Sequence, residues 1–164
     1  MNNYKPLTVL FLSTGNAARS ILAEALLRYK GAERFLARSA GQKSVSQVPS
    51  TTLDFLKEEG IPTDGLHSKR WSEFWIAGFL LPIDVIVTLS PEARDHCPKW
   101  PNDPVRVHWP VDDPLGAESS DVREWKYRKC FVTLESRIHR LVQSRNVDNP
   151  IQLMLQLRDI GMAV

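Results

Sequence analysis

The sequence predicts an α/β protein, a parallel sheet with helices on both faces, and two observations carry that expectation. Short apolar runs of strand length, at Val9 to Leu12, Phe35 to Ser39, Ile83 to Leu89 and Val105 to His108, alternate with stretches of helical period. Such alternation is the pattern of strands joined by crossover helices, which bury both faces of the sheet. The second observation is size. A chain of 164 residues, 43% apolar and 24% charged, suits one ordinary globular domain, and residues 1–164 are read as one.

Taken in order, Val9 to Leu12 reads as a buried strand that meets a small, polar turn at Ser13-Thr14-Gly15-Asn16. From Ala17 the apolar positions Ile21, Leu22, Ala25, Leu26 and Tyr29 recur at helical spacing, with Arg19 in the first turn. The second strand, Phe35 to Ser39, ends at Ala40-Gly41. After a loop to Pro49, a helix from about Ser50 to Glu59 is stopped by Gly60 and Pro62. Residues 61–71 are rich in turn formers, and Trp71 to Trp75 reads as a short helical piece. Ile83 to Leu89 is the clearest buried strand. Pro91 to Asp95 starts a helix, Pro98 to Pro104 is a loop, and Val105 to His108 is a fourth strand ending at Pro110. Asp121 to Val142 is strongly helical, with Trp125, Phe131, Leu134, Ile138 and Leu141 assigned to one face. A last helix spans about Ile151 to Ile160.

Charge and composition narrow the function. A net charge of +2 without a basic run argues against a nucleic-acid partner. The apolar stretch Leu7 to Leu12 is too short for a membrane span or a signal core, so a cytoplasmic protein with no membrane partner is expected. Two cysteines, Cys97 and Cys130, make no disulfide framework.

Strand, small-residue loop and helix N-terminus at residues 8–20 together form the geometry that holds a phosphate-like anion. Loop amides point inward there, and the positive end of the helix dipole adds partial charge. Arg19 supplies a planar, permanently charged fork for two anion oxygens. Farther along, Asp112-Asp113-Pro114 sets two acids on a proline-stiffened loop beyond a strand end. An acid there can swing over an anion site and protonate a leaving oxygen if its pKa is raised; by composition the pair also reads as a solvated turn.

The spacing Ser13-x5-Arg19, within Thr14-Gly-Asn-x-x-Arg19-Ser20, resembles the signature loop of the low-molecular-weight protein tyrosine phosphatases and the arsenate reductases of the same fold. Ser39-Ala40-Gly41, Asp84 to Leu89 and His96-Cys97-Pro98 match as well, so the resemblance covers most of the chain. It implies a flavodoxin-like sheet in the order 2-1-3-4, with the loop at its carboxyl edge. It also implies an anion bound by Thr14, Gly15, Asn16, Ala17, Ala18, Arg19 and Ser20, with Asn16 and Ser20 bracing the loop. Residue 13 would be the nucleophile and Asp113 the general acid. Because Leu115-Gly116 follow Pro114, where tyrosine phosphatases usually carry tyrosines, the segment from His108 looks more like the arsenate reductase branch. The resemblance implies no cofactor and no metal. Its partners would be phosphate, sulfate or arsenate, with thioredoxin, glutaredoxin or glutathione as reductant, or a phosphoprotein.

The family's nucleophile is cysteine, and here residue 13 is serine. A thiol in such a loop falls from a pKa of about 8.5 to roughly 3.5–7.5. A hydroxyl needs a general base instead, and no histidine lies in the loop; His67, His96, His108 and His139 read as structural or exposed. Serine forms no disulfide, so arsenate reduction through residue 13 is excluded. Thioredoxin-coupled members relay through two more cysteines. Cys97 matches the last of these, which would give it a redox role, and Ser90 stands near the middle one. Cys97 and Cys130 also fit as small buried apolar residues. The expected protein is thus arsenate reductase-like, binding an oxyanion but inactive or nearly so with Ser13. The alternatives are a tyrosine or small-molecule phosphomonoester phosphatase, and a natural serine variant that only binds phosphate or a phosphoprotein.

Overall fold

The computed structural model describes residues 5–76, 82–145 and 148–163. Its strands are β1 Leu7–Ser13, β2 Phe35–Gly41, β3 Val85–Thr88 and β4 Val105–His108. They form one sheet in the order β2-β1-β3-β4, every pair parallel, as the resemblance implied. The direction of winding reverses on either side of β1. The connections leaving β1 and β3 therefore part, opening a crevice at the carboxyl edge of the sheet.

The helices are α1 Arg19–Gly31, α2 Ser50–Glu58, α3 Glu73–Ile76, α4 Pro91–His96, α5 Ser120–Gln143 and α6 Pro150–Met162. Side chains alternate across the strands. Val9, Phe11, Val85 and Val87 enter the larger core with the buried stripes of α1 and α5, whereas Leu10, Leu12 and Ile86 pack on the other face with Ala93 and Trp100. Helices thus cover both faces. Among the described residues no helix is long and apolar enough to cross a membrane.

Two aromatic residues depart from the expected faces. Tyr29 is 58% exposed and Trp125 is 61% exposed. Helix α1 is buried on every side from Arg19 to Leu27, so it lies inside the protein, and its cover ends at the last turn, where Tyr29 sits. On α5 the buried stripe is Tyr127, Cys130, Phe131, Leu134, Ile138 and Leu141. Trp125 is two residues from Tyr127, about 200° around the helix, and so faces away. Helix α3 begins two residues later than expected. Arg70 pairs with Gly41 in a β-bridge, and the Glu73 carboxylate accepts the Arg70 amide at 3.2 Å, which delays helical winding.

Candidate functional site

Residues 14–18 leave β1 as a series of bends and enter α1. The carbonyls at the start of this loop are taken up by the segment that follows β2. The amides of Gln42, Lys43 and Val45 donate to the carbonyls of Ser13, Thr14 and Gly15 at 3.2, 2.9 and 3.1 Å. In a trans peptide the N–H opposes the C=O, so the amides of Thr14, Gly15 and Asn16 point to the other side. The Asn16 amide there reaches Ser13 Oγ at 3.2 Å. Ala18, at the N-cap of α1, offers no side-chain cap, which leaves the first helical amides free to face the same cradle. Gly41 permits this close approach: a Cβ at that position would lie 2.8 Å from Asn16 N and 2.9 Å from Gly15 C.

Asn16 adopts a left-handed backbone, φ 51°, and its buried side chain holds it there. Asn16 Nδ2 donates to Ser20 Oγ and to Ser39 Oγ, each at 2.9 Å, while Oδ1 accepts the Lys69 amide at 2.9 Å. Ser20 Oγ in turn lies 2.6 Å from Ser13 Oγ. Behind these hydroxyls stands Glu24, fully buried, which accepts from Ser39 and pairs with Arg28 and, at 3.8 Å, with Lys69 Nζ. Burial pushes the Lys69 pKa down, against the opposing pull of Glu24. Sequence reasoning missed Glu24 and Lys69. A signal existed for Glu24: it falls within a buried helical stretch, four residues after Ser20 and four before Arg28, on one face.

The second half of the site arrives from β4. Arg19, only 8% exposed, reaches Asp113 Oδ2 through Nη2 at 3.1 Å and the Val111 carbonyl through Nη1 at 3.4 Å. Asp113 Oδ1 accepts the Leu115 amide at 3.1 Å, closing a local turn. Its neighbour Asp112 points away, to Lys129 Nζ at 3.2 Å, with its side chain 87% exposed. Two adjacent acids are thereby sorted: one faces Arg19 and one faces solvent.

Ser90 caps α4 through the Ala93 amide at 3.2 Å and meets Thr14 Oγ1 at 3.0 Å, so it adjoins the loop. Cys97 packs beside the smaller core on the opposite face of the sheet, where burial raises its pKa. Cys130 is buried beneath the Asp112–Asp113 loop at the edge of a cavity of about 420 Å³ that Trp125 and Lys129 also line. Its thiol is pushed up to about 12, above all by burial. His108, His67 and His96 bond to Thr88 Oγ1, Gly65 O and Glu92 O. Among the described residues Ser13 Oγ meets only Ser20 Oγ and the Asn16 amide, neither of them a base.

Comparison with known proteins shows the family and the fold. The family model for low molecular weight phosphotyrosine protein phosphatase matches residues 8–151. An arsenate reductase of Halalkalibacterium halodurans is 34% identical over 137 residues, covering 83% of this chain and 95% of the relative. The crystal structure of an arsenate reductase from Archaeoglobus fulgidus matches at a TM-score of 0.64 with 29% identity, over 83% of this chain and 99% of that one. The tyrosine phosphatase Wzb from Escherichia coli K30 shares the fold, with a TM-score of 0.64 at 15% identity over 84% of this chain and 99% of that one.

Proposed function

Since the chain belongs to the low molecular weight phosphotyrosine protein phosphatase family, on its arsenate reductase branch, we propose that residues 13–20 bind a tetrahedral oxyanion: phosphate, sulfate or arsenate. One observation carries this reading. The carbonyls of Ser13, Thr14 and Gly15 are all turned out onto residues 42–45, so the loop amides and the uncapped N-terminus of α1 are left for an anion, with Arg19 in the first turn of that helix. The whole chain acts as one arsenate reductase-like domain in this reading.

With a cysteine at position 13, the thiolate would attack arsenic or phosphorus. The Ser20 hydroxyl and the Asn16 amide, which meet Ser13 Oγ here, would donate to that thiolate and lower its pKa. Arg19 and the loop amides would hold the remaining oxygens as charge builds on them. Asp113, close to Arg19, would deliver a proton to the leaving oxygen. With Ser13 the same neighbours are of no use, because donors do not remove a proton from a hydroxyl. Reduction of arsenate also takes two electrons from thiols, and serine has none to give. The Ser13 form therefore binds and does not turn over. Thioredoxin, glutaredoxin or glutathione would serve as reductant only for a cysteine form.

A phosphatase reading is favoured by one detail. Ser90, near the middle position of the thiol relay, is a hydroxyl engaged in capping α4 and holding Thr14. A phosphatase needs no relay.

The deciding experiment is Ser13→Cys. It should create a thiol of pKa roughly 3.5–7.5 that phosphate protects from iodoacetamide, together with activity that the parent lacks. Arsenate-dependent oxidation of a reductant assigns the reductase reading, and hydrolysis of aryl phosphates alone assigns the phosphatase. A thiol that titrates near 8.5 and ignores phosphate would overturn both.

A further inference from the structure

Helix α6 lies almost wholly beyond the stretch matched by the family model, which ends at residue 151. It nevertheless closes on the root of the segment that carries Asp113. Trp109 Nε1 donates to the Leu157 carbonyl at 2.8 Å. Gly161 lies so near the end of β4 that a Cβ there would overlap the Trp109 ring and stand 2.8 Å from the His108 carbonyl. The third contact is Arg137 of α5, only 8% exposed. Its Nη2 donates to the Gly161 carbonyl at 3.2 Å and its Nη1 to the Pro110 carbonyl at 2.9 Å. Among the described residues Nε has no hydrogen-bond partner and no carboxylate pairs with the guanidinium.

A buried guanidinium held only by carbonyls is an expensive arrangement for stability. An apolar side chain would fill the space at lower cost. What the arginine does, and an apolar residue cannot, is tie the end of α6 to Pro110, three residues before Asp113. We propose that α6 and Arg137 form a clamp on the root of the 110–114 loop, with Arg137 the positioning residue that keeps Asp113 beside Arg19. This rests on the reading of Asp113 as general acid. Beyond the clamp, the segment is held at Val111, whose amide donates to the Leu89 carbonyl at 3.2 Å and whose carbonyl accepts from Arg19 at 3.4 Å. The acids are held by the Lys129–Asp112 pair, both partners largely exposed, by the Arg19–Asp113 pair and by the local turn at Leu115. Exposed pairs contribute little in water.

Two measurements on the full chain test the clamp. Hydrogen exchange is compared for the parent, Arg137→Gln, Arg137→Lys and Gly161→Ala. The clamp predicts faster exchange at 111–115 in Arg137→Gln and Gly161→Ala, with residues 13–20 unchanged and Arg137→Lys in between. In the Ser13→Cys form, Arg137→Gln should slow hydrolysis of phenyl phosphate by about 10- to 100-fold, the scale of a misplaced catalytic group. Hydrolysis of dinitrophenyl phosphate, whose leaving group needs no proton, should change less than about twofold, and phosphate affinity should hold. Faster exchange confined to α5 and α6, or equal slowing of both esters, would overturn the clamp and leave Arg137 a packing residue. If Asp113→Asn spares phenyl phosphate hydrolysis, the general-acid reading fails instead, and the exchange at 111–115 alone decides the clamp.

Discussion

At the loop of residues 13–20 the bracing side chains Ser20, Asn16, Ser39 and Glu24 are all fully buried, whereas the side chains of Asp112 and Asp113 are 87% and 47% exposed. The first loop is held by a connected network in a medium of low dielectric, where each hydrogen bond strengthens its neighbours and an unpaired group is costly. The second is held near its tip by ion pairs that water and salt weaken. That difference matches the two tasks proposed for them. An anion cradle works by being in place before the ligand arrives, with no reorganisation during reaction. A general acid has to approach a leaving oxygen and then withdraw, which a soft attachment allows. Buried polar density thus separates the half of the site proposed to bind the anion from the half proposed to deliver the proton.

Removing the cation shared by the two loops breaks the comparison most severely. Arg19→Ala should abolish phosphate binding in calorimetry, since two charged hydrogen bonds of about 1.5–3 kcal/mol each are lost. Asp113→Asn should leave that binding intact. Nearly as large is the kinetic effect of the acid itself. In the Ser13→Cys form, Asp113→Asn should slow phenyl phosphate hydrolysis by ~10²–10⁴, while Asp112→Asn, whose partner Lys129 lies at the surface, should do much less. Equal effects would move the role off Asp113.

Glycine substitutions sharpen the contrast between a packed and an open loop. Gly41→Ala drives a methyl group into the backbone of Asn16 and Gly15, so urea unfolding should show a loss of ~1–3 kcal/mol along with weakened phosphate binding. Gly116, φ 76°, has open space around it; Gly116→Ala should cost about 1–2 kcal/mol of backbone strain and leave phosphate affinity alone. Phosphate affinity that falls equally in both variants would remove the distinction.

The smallest effect concerns Cys130, under the softer loop. Its thiol is raised from 9.0 to about 12 in the folded protein, so above pH 9 the unfolded chain loses this proton first. Stability should then fall as pH climbs from about 9 towards 12, and Cys130→Ala should flatten that slope in urea melts. At neutral pH Cys130 should resist iodoacetamide while a cysteine at position 13 reacts. Rapid labelling of Cys130 would show that the 110–114 loop opens far more than its contacts indicate.

Much of this protein was legible in its sequence because the relevant signals are local. Strand-length apolar runs and helical periods fixed the alternation of elements. Ser13-x5-Arg19 marked the candidate anion loop, since a strand, a small-residue turn and a helix start are contiguous in the chain. Asp112-Asp113-Pro114 marked a candidate acid, yet nothing in two adjacent aspartates says which one turns inward. That was decided in three dimensions, by Arg19 on one side and Lys129 on the other. Faces of long helices were settled the same way. Trp125 and Tyr29 are apolar enough to be core, and only the extent of the covering layers leaves them in water. Glu24, Lys69 and Arg137 are charged residues that sequence reasoning sends to the surface. They are buried because groups up to 45 residues away in the chain, Ser39 and Lys69 for Glu24, Glu24 for Lys69, and Pro110 and Gly161 for Arg137, meet them there. A charge enters the interior only where partners already wait, and those partners are assembled by the fold rather than by neighbours in sequence.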